Sequence, residues 1–233
     1  MMEEGQREDS GLRRAFEDAG MNEIAARILE AALFLFAQKG YAATSVREIV
    51  QAAQVTNPML YYYFESKEGV FQRLVEVLFA GLNGMLEEVL AGEGSAREKL
   101  GAEAQVHFDG CRENPEALRL IYSMIFGPRQ GRPECGILEK VQRAHELVEA
   151  VMVAALERGE LDPRLHDARM LAERFMGLVS SQLIGVLAAE EYVLLEGAQG
   201  EYERVRDELL GEEALERLLE FFFHGAGAPA QEQ

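Results

Sequence analysis

The chain has 233 residues, of which 48% are hydrophobic, so it can bury a core as one large or two modest domains. Its two cysteines, Cys111 and Cys135, exclude a disulfide framework and a paired-cysteine zinc motif, which favours a reducing cytoplasm. The charged residues 1–21 do not resemble a signal peptide, and we expect no apolar run long enough to cross a membrane.

The net charge of −18 lies almost wholly outside one segment. Residues 22–80 contain five basic and six acidic residues, a net charge of −1, so the rest of the chain carries −17. This acidic remainder could repel non-specific contacts with nucleic acid. It could equally be an ordinary solubilising surface, and the composition does not decide between the two.

The pattern is helical throughout and predicts an all-α protein of about nine helices. We expect residues 1–21 to form a flexible arm. The first helix begins at Asn22, a capping residue, and runs to Lys39, where Gly40 is its expected C-terminal cap. Its apolar positions recur at helical spacing and are Ile24, Ile28, Ala32, Leu35 and Phe36.

Two short helices separated by a tight turn come next. Ser45 begins the first, and Glu48 three residues later completes a capping box. The turn contains Gln54 and Val55. The apolar face of this helix consists of Val46, Ile49, Val50 and Ala53.

The second short helix is capped by Thr56 and has Pro58 in its first turn, where a missing N–H costs nothing. It contains four consecutive aromatic residues, Tyr61 to Phe64. Successive helical residues are rotated by about 100°, so we expect Leu60 and Phe64 to face the core and at least two rings to point outward. Exposed aromatic surface on a helix-turn-helix suggests a partner, and the location suggests DNA.

Ser66 caps a long helix that extends to about Val89. Glycine and proline residues then divide the remainder into further helical segments. These lie near 95–112, 115–126, 136–158, 167–195 and 202–224, followed by a flexible tail over 227–233.

Several side chains near the turn could contact DNA, although each also has a structural explanation. Arg47 could reach a phosphate or a guanine edge, or be an ordinary exposed arginine. Thr44 and Ser45 lie at a helix N-terminus that attracts phosphate, but capping alone would explain them. Lys67 opposes the dipole in the first turn of its helix, so a bound phosphate explains it better than local stability does.

The second short helix supplies the candidates for reading bases. Asn57 could pair with an adenine edge and Met59 could touch a thymine methyl group; turn chemistry and partial packing are the alternatives. Tyr61, Tyr62 and Tyr63 offer hydroxyl donors to phosphate, while part of each ring is expected to be buried.

The C-terminal helices offer weaker signals. His107 and Cys111 are four residues apart and could share a metal, but no third ligand is evident, so an interior histidine and a buried thiol are favoured. No catalytic motif stands out, and we expect no enzyme activity, no metal and no cofactor. An aromatic and methionine-rich set is either ordinary core or the wall of an apolar ligand cavity. Its members are Phe108, Tyr122, Met124, Phe126, Met152, Phe175 and Met176, with Gln182 and Ser180 as polar contacts.

The segment from Ile28 to Phe71 resembles the N-terminal domain of TetR-family transcriptional regulators. The matching strings are RILEAALFLFAQKGYAATSVREIV, which starts one residue earlier, and VTNPMLYYYFESKEGVF. The resemblance implies DNA contacts by Thr44, Ser45 and Arg47 from the supporting helix. It implies base-facing positions at Thr56, Asn57, Pro58, Met59 and Tyr61, and phosphate contacts by Tyr62, Tyr63 and Lys67.

Two residues depart from the family pattern. Tyr63 stands where histidine is frequent, which keeps a donor and loses a possible charge. Gln54 stands where glycine is common in the turn, so it is expected to adopt a left-handed conformation at some cost.

The resemblance also implies a homodimer with a DNA-binding domain over 22–68 and a helical ligand-binding and dimerisation domain over 69–226. Segments near 167–190 and 203–223 would form a four-helix bundle between the protomers. The candidate interface residues are Leu178, Leu183, Val186, Leu187, Leu215, Leu218, Leu219 and Phe222.

These observations predict a cytoplasmic, ligand-responsive regulator that binds a pseudo-palindromic double-stranded operator. We expect a repressor that a small, largely apolar effector releases from DNA. Two alternatives remain: an all-α dimeric sensor or interaction protein that no longer binds DNA, and a helical enzyme that uses His107 or Cys111.

Overall fold

The computed structural model describes residues 11–127, 131, 133–162, 164, 167–196 and 199–226, and this part of the chain forms eleven α-helices and no strand. The predicted all-α class is confirmed. The tail predicted over 227–233 lies outside the described residues. In chain order the helices are α1 Gly11–Asp18, α2 Glu23–Ala43, α3 Val46–Ala52, α4 Asn57–Phe64, α5 Lys67–Ala91, α6 Ala96–Glu113, α7 Pro115–Phe126, α8 Ile137–Glu157, α9 Ala168–Glu196, α10 Gln199–Leu210 and α11 Glu212–Ala226.

The helices form two compact units. The described residues within 1–82 and 113–140 form one unit, and those within 83–112 and 141–233 form the other. In the first unit, α2 packs against α7, α3 and α4. This division differs from the predicted boundary between residues 68 and 69, because the first unit also takes in the start of α5 and the whole of α7.

Part of the predicted N-terminal arm is helical. Residues Gly11–Asp18 form α1, and the side chain of Phe16 is completely buried. Arg13 pairs with Glu23 at 2.5 Å, which ties α1 to the start of α2. The periodic signal in this segment is one pair of large apolar residues four positions apart, Leu12 and Phe16, among charged ones, which is too little to distinguish a packed helix from a mobile one.

Gly40 interrupts α2 where the sequence predicts the end of the helix. Its backbone has φ 80° and ψ 162°, a conformation that glycine adopts without steric cost. One further turn, Tyr41 to Ala43, follows the break and leads into the helix-turn-helix. The regular helix therefore breaks at Gly40, where the sequence predicts its end, although one more turn follows.

The second unit contains two helices where the sequence predicts one over 202–224. They are α10 and α11, separated at Gly211, and both pack against α9. A Cβ at Gly211 would lie 2.6 Å from the Asp207 carbonyl oxygen, so the break requires glycine. With α1, this division accounts for the difference between nine predicted and eleven observed helices.

The long helix α9 corrects one expectation about membranes. Within Ala168–Tyr192, a window of 18 residues has a mean hydropathy of 1.3, which suffices to cross a bilayer by length and composition alone. That window holds at most two charged side chains, which is why its mean hydropathy stays high. Core helices of soluble proteins satisfy the same criterion, so the finding is weak support for a membrane span.

Candidate nucleic-acid interface

The capping box predicted at the start of α3 is present. The backbone N–H of Glu48 donates to the Ser45 hydroxyl, and the Glu48 carboxylate accepts from both the N–H and the hydroxyl of Ser45. Glu48 also pairs with Lys39. The Lys39 ammonium and the Ser45 donors lower the pKa of Glu48 to about 2. These contacts fix the N-terminus of α3 to the end of α2.

The turn between α3 and α4 is stabilised by a residue from outside it. Gln54 has φ 53°, so the left-handed conformation expected there is confirmed. The Val55 N–H donates to the Val50 carbonyl, as in a Schellman motif. The Arg27 guanidinium of α2 donates to the carbonyl oxygens of Ala53 and Gln54. Arg27 thus offsets part of the cost of a non-glycine residue, and no local pattern pointed to it.

The helix α4 is oriented by two buried side chains, as its sequence predicts. Leu60 is completely buried and Phe64 is 7% exposed, whereas Tyr61 and Tyr62 are 49% and 82% exposed. At least two rings do point outward. The helix ends at Glu65, whose φ of 62° is a second left-handed position that the sequence analysis missed.

The beginning of α4 presents polar groups to solvent. Thr56 occupies the N-cap position, but its side chain makes no capping hydrogen bond, contrary to our expectation. Its hydroxyl therefore remains available on an exposed residue. Asn57 and Pro58 are also exposed, and Met59 is half-buried. This end of α4 is thus open to solvent, and its role in reading bases stays a prediction.

Arg47 differs from the other basic residues of the segment. The other four, which are Arg27, Lys39, Lys67 and Arg73, each make a hydrogen bond or ion pair within the protein. Arg47 is exposed and has no such contact with the described residues. A charged group that stabilises nothing in its own fold is suited to bind an anionic partner.

Thr44 does not fit the predicted contact surface. It is only 1% exposed, and its hydroxyl donates inward to the Gly40 carbonyl at 2.9 Å and lies 3.3 Å from that of Leu35. Its side chain caps the end of α2, so it is not free to contact DNA. Ser45 is exposed, but the donor of its hydroxyl is already committed to Glu48.

Lys67 has an intramolecular role that the sequence analysis did not anticipate. Its ammonium donates to the carbonyls of Tyr41 at 2.8 Å and Thr44 at 2.7 Å, and it lies 4.1 Å from the centre of the Tyr41 ring. Burial lowers its pKa. These contacts account for a cation in the first turn of α5 without a phosphate. An ammonium has three donors, so one remains for an external acceptor.

The eight predicted effector residues are divided between the two units. Tyr122, Met124 and Phe126 belong to the first unit, where the Tyr122 and Phe126 rings stack at 5.7 Å and Phe126 is 73% exposed. The other five belong to the second unit and are Phe108, Met152, Phe175, Met176 and Gln182. All of these except Gln182 are buried. The effector site stays a prediction.

Five of the eight predicted interface residues are buried within a single chain, namely Leu183, Val186, Leu218, Leu219 and Phe222. Their side chains have little surface left for a partner, because α10 and α11 pack against α9. The helical period correctly identified apolar faces on α9 and α11, but it could not show whether a neighbouring helix or a second chain covers them. Leu178, Leu187 and Leu215 are partly exposed.

The candidate metal pair on α6 consists of His107 and Cys111. His107 Nε2 lies 3.0 Å from Glu103 Oε1, and Cys111 is buried. Burial raises the pKa of the Cys111 thiol to about 11, which keeps it protonated and unreactive. Among the described residues, no group of three or more potential ligands could hold a metal ion.

Comparison with known sequences identifies related DNA-binding regulators. Residues 28–74 match the family model of bacterial regulatory proteins, tetR family. Over 61 residues the chain is 43% identical to the probable HTH-type transcriptional regulator YttP of Bacillus subtilis; the match covers 26% of this chain and 30% of YttP. Over 111 residues it is 27% identical to the transcriptional repressor KstR2 of Rhodococcus jostii, covering 48% of this chain and 54% of that protein. The chain thus spans about a third to a half of the length of these curated relatives.

Solved structures extend the likeness over most of the chain. The ketosteroid transcriptional regulator KstR2 of Mycobacterium tuberculosis has a TM-score of 0.63 at 17% identity, over 89% of this chain and 96% of that one. The regulator FadR of Bacillus subtilis has a TM-score of 0.59 at 21% identity, over 79% of this chain and 97% of that one. At these identities the comparison establishes a common fold.

Proposed function

We propose that this chain, whose residues 28–74 belong to the tetR family of bacterial regulatory proteins, is a DNA-binding transcriptional regulator that responds to a ligand. The supporting observation is the outward surface of α4. It presents Asn57, Tyr61 and Tyr62 to solvent, while Arg47 on the neighbouring α3 has no partner among the described residues. The tyrosine hydroxyls and the Asn57 amide can form hydrogen bonds in a major groove, and the Arg47 cation can pair with a phosphate.

We propose that the protein acts as a homodimer on a pseudo-palindromic operator. The apolar residues Ile184 on α9 and Phe221 on α11 are 44% and 71% exposed. A second copy would cover such groups, together with Leu178, Leu187 and Leu215. Helix α4 of each protomer, the recognition helix, would then enter one of two successive major grooves about one helical turn apart. Light scattering should give twice the chain mass of 26.0 kDa.

Selection of DNA by the purified protein tests this proposal. Fragments of the genome of origin are incubated with the protein, and the bound duplexes are sequenced. We expect one enriched site with two related half-sites. Uniform weak binding without enrichment would refute the proposal and favour an all-α sensor that no longer binds DNA.

We further propose a cytoplasmic repressor that a largely apolar effector releases from its operator. Two relatives support an apolar effector: KstR2 is described as a ketosteroid regulator, and FadR was solved in complex with stearoyl-CoA. In this chain Phe108, Met152 and Phe175 provide fully buried apolar surface in the second unit. The effector would have to bind the DNA-free state more tightly to shift the equilibrium.

Titration of the enriched duplex with stearoyl-CoA and with a ketosteroid tests the effector class, with free coenzyme A as the polar control. We expect one of the two apolar compounds to weaken DNA binding. Linkage requires that DNA weaken binding of the same compound by the same factor. An unchanged affinity with both compounds would contradict the steroid and acyl classes but would leave DNA binding standing.

A further inference from the structure

We propose that Asn22 is a positioning residue for DNA binding: its side-chain amide fixes the Tyr63 hydroxyl so that the O–H points to a DNA phosphate. The inference rests on the proposed function. Asn22 precedes α2 and Tyr63 lies near the end of α4, yet Asn22 Nδ2 is 2.9 Å from Tyr63 Oη. No motif in the sequence connects these two residues.

The orientation of the Asn22 amide follows from its other contact. Asn22 Oδ1 accepts the Ala25 backbone N–H at 3.0 Å, which caps α2. A backbone N–H can only donate, so the group facing it must be the amide oxygen. The NH₂ group must therefore face Tyr63, and it too can only donate. This excludes the flipped amide without any assumption about hydrogen positions.

The consequence for Tyr63 is a fixed role as donor. Its oxygen accepts from Asn22, so its single proton cannot point back to the amide and must be directed elsewhere. Tyr63 is half-buried and its ring meets that of Tyr62, edge to face, at 5.0 Å. Partial burial and this ring contact restrict the orientation of the Tyr63 ring. The hydroxyl then presents one donor to an acceptor on the duplex, as a phosphate requires.

Asn22 is itself held in place from two sides. The Arg73 guanidinium of α5 donates to the Ala19 carbonyl at 3.1 Å, in the turn just before Asn22. Arg13 of α1 pairs with Glu23, the next residue. The buried Phe16 anchors α1. Helix α1 thus helps to position Asn22, which in turn positions the side chain of Tyr63 on α4.

A double-mutant cycle tests the inference with the duplex that the wild-type protein enriches from the genomic fragments. Tyr63→Phe removes the donor and should weaken binding about tenfold, the effect of one hydrogen bond to a charged group. The salt dependence should not change, because a neutral hydroxyl releases no counterion. Asn22→Asp keeps the helix cap but offers Tyr63 an acceptor, so the hydroxyl turns inward. It should also weaken binding about tenfold or more.

In the Tyr63→Phe background, Asn22→Asp should lower the affinity for the duplex by no more than about threefold. That loss measures the repulsion between the added carboxylate and the DNA. Asn22→Ser keeps a capping oxygen and removes only the amide donor, so duplex affinity should fall about threefold in the wild-type background and should not change in Tyr63→Phe. It replaces Asn22→Asp if that variant does not fold.

Equal losses in both backgrounds would overturn the inference, as would unchanged binding by Asn22→Asp, while the regulator assignment would stand. If the wild-type protein enriches no duplex, the proposed function and the inference both fail.

Discussion

Replacing Gly69 with alanine should disrupt the turn that joins the recognition helix to α5. A Cβ at Gly69 would lie 2.0 Å from the carbonyl oxygen of Phe64 and 3.1 Å from its carbon. The same oxygen accepts the Ser66 N–H at 2.6 Å, and the Gly69 N–H donates to the Ser66 hydroxyl. The backbone would have to move by about 1 Å to reach a tolerable contact, because no flexible side chain can give way.

The expected loss of stability follows from two opposing effects. Forcing a methyl group against backbone costs about 3 kcal/mol, at the upper end for overpacking, since Phe64 is buried and cannot shift freely. Alanine returns up to about 1 kcal/mol through its helix propensity. The net loss is about 2 kcal/mol, which lowers the melting temperature by about 4–8 °C for a chain of this size.

Thermal unfolding followed by circular dichroism at 222 nm measures this loss. Gly84→Ala is the matched control, because Gly84 lies in the same helix and nothing is within 4 Å of its added Cβ. The control should melt at or above the wild-type temperature, by up to about 1 kcal/mol of added stability. Equal melting temperatures for the two variants would refute the steric argument, and so would a Gly69→Ala protein as stable as the wild type.

Four further outcomes are expected. Arg47→Ala should weaken duplex binding about tenfold and reduce the slope of log K against log salt by about 0.9, with an unchanged melting temperature; a shifted melting temperature would contradict its lack of an internal role. Asn57→Ala should change the base preference in a selection experiment, whereas a uniform loss over all sequences would argue against base reading. Lys67→Met should destabilise the protein by about 2 kcal/mol in urea unfolding, because two carbonyls lose a charged donor, and a loss of DNA binding without destabilisation would contradict this. The contacts that lower the pKa of Glu48 stabilise the fold above pH 4.5, and this contribution is lost as the pH falls towards 2. The difference in unfolding free energy between the wild type and Glu48→Gln should therefore shrink on acidification. A difference that does not depend on pH would contradict this expectation.

Local patterns predicted much of the helix-turn-helix, although they wrongly gave Thr56 a capping side chain and missed the positive φ of Glu65. The capping box of Ser45 and Glu48 and the inward Leu60 were predicted correctly from local spacing, and the left-handed Gln54 was predicted correctly from the family resemblance. Each depends on backbone geometry within a few residues and on the helical period. The break at Gly211 had a signal of the same kind, a glycine inside an otherwise helical pattern, and we missed it.

Contacts between distant residues decided the roles of individual polar side chains. Thr44 and Lys67 looked like phosphate ligands, but one turns inward and the other donates to the carbonyls of Tyr41 and Thr44. Arg27 and Asn22, which showed no functional pattern, hold the turn and the Tyr63 hydroxyl.

The sequence by itself determined the all-α class and the outward side of the recognition helix, because period and capping are properties of neighbouring residues. Only the tertiary structure decided which cations and hydroxyls are free for DNA. A side chain's partners lie wherever the fold places a carbonyl or a carboxylate within about 3 Å, and that placement can be tens of residues away along the chain.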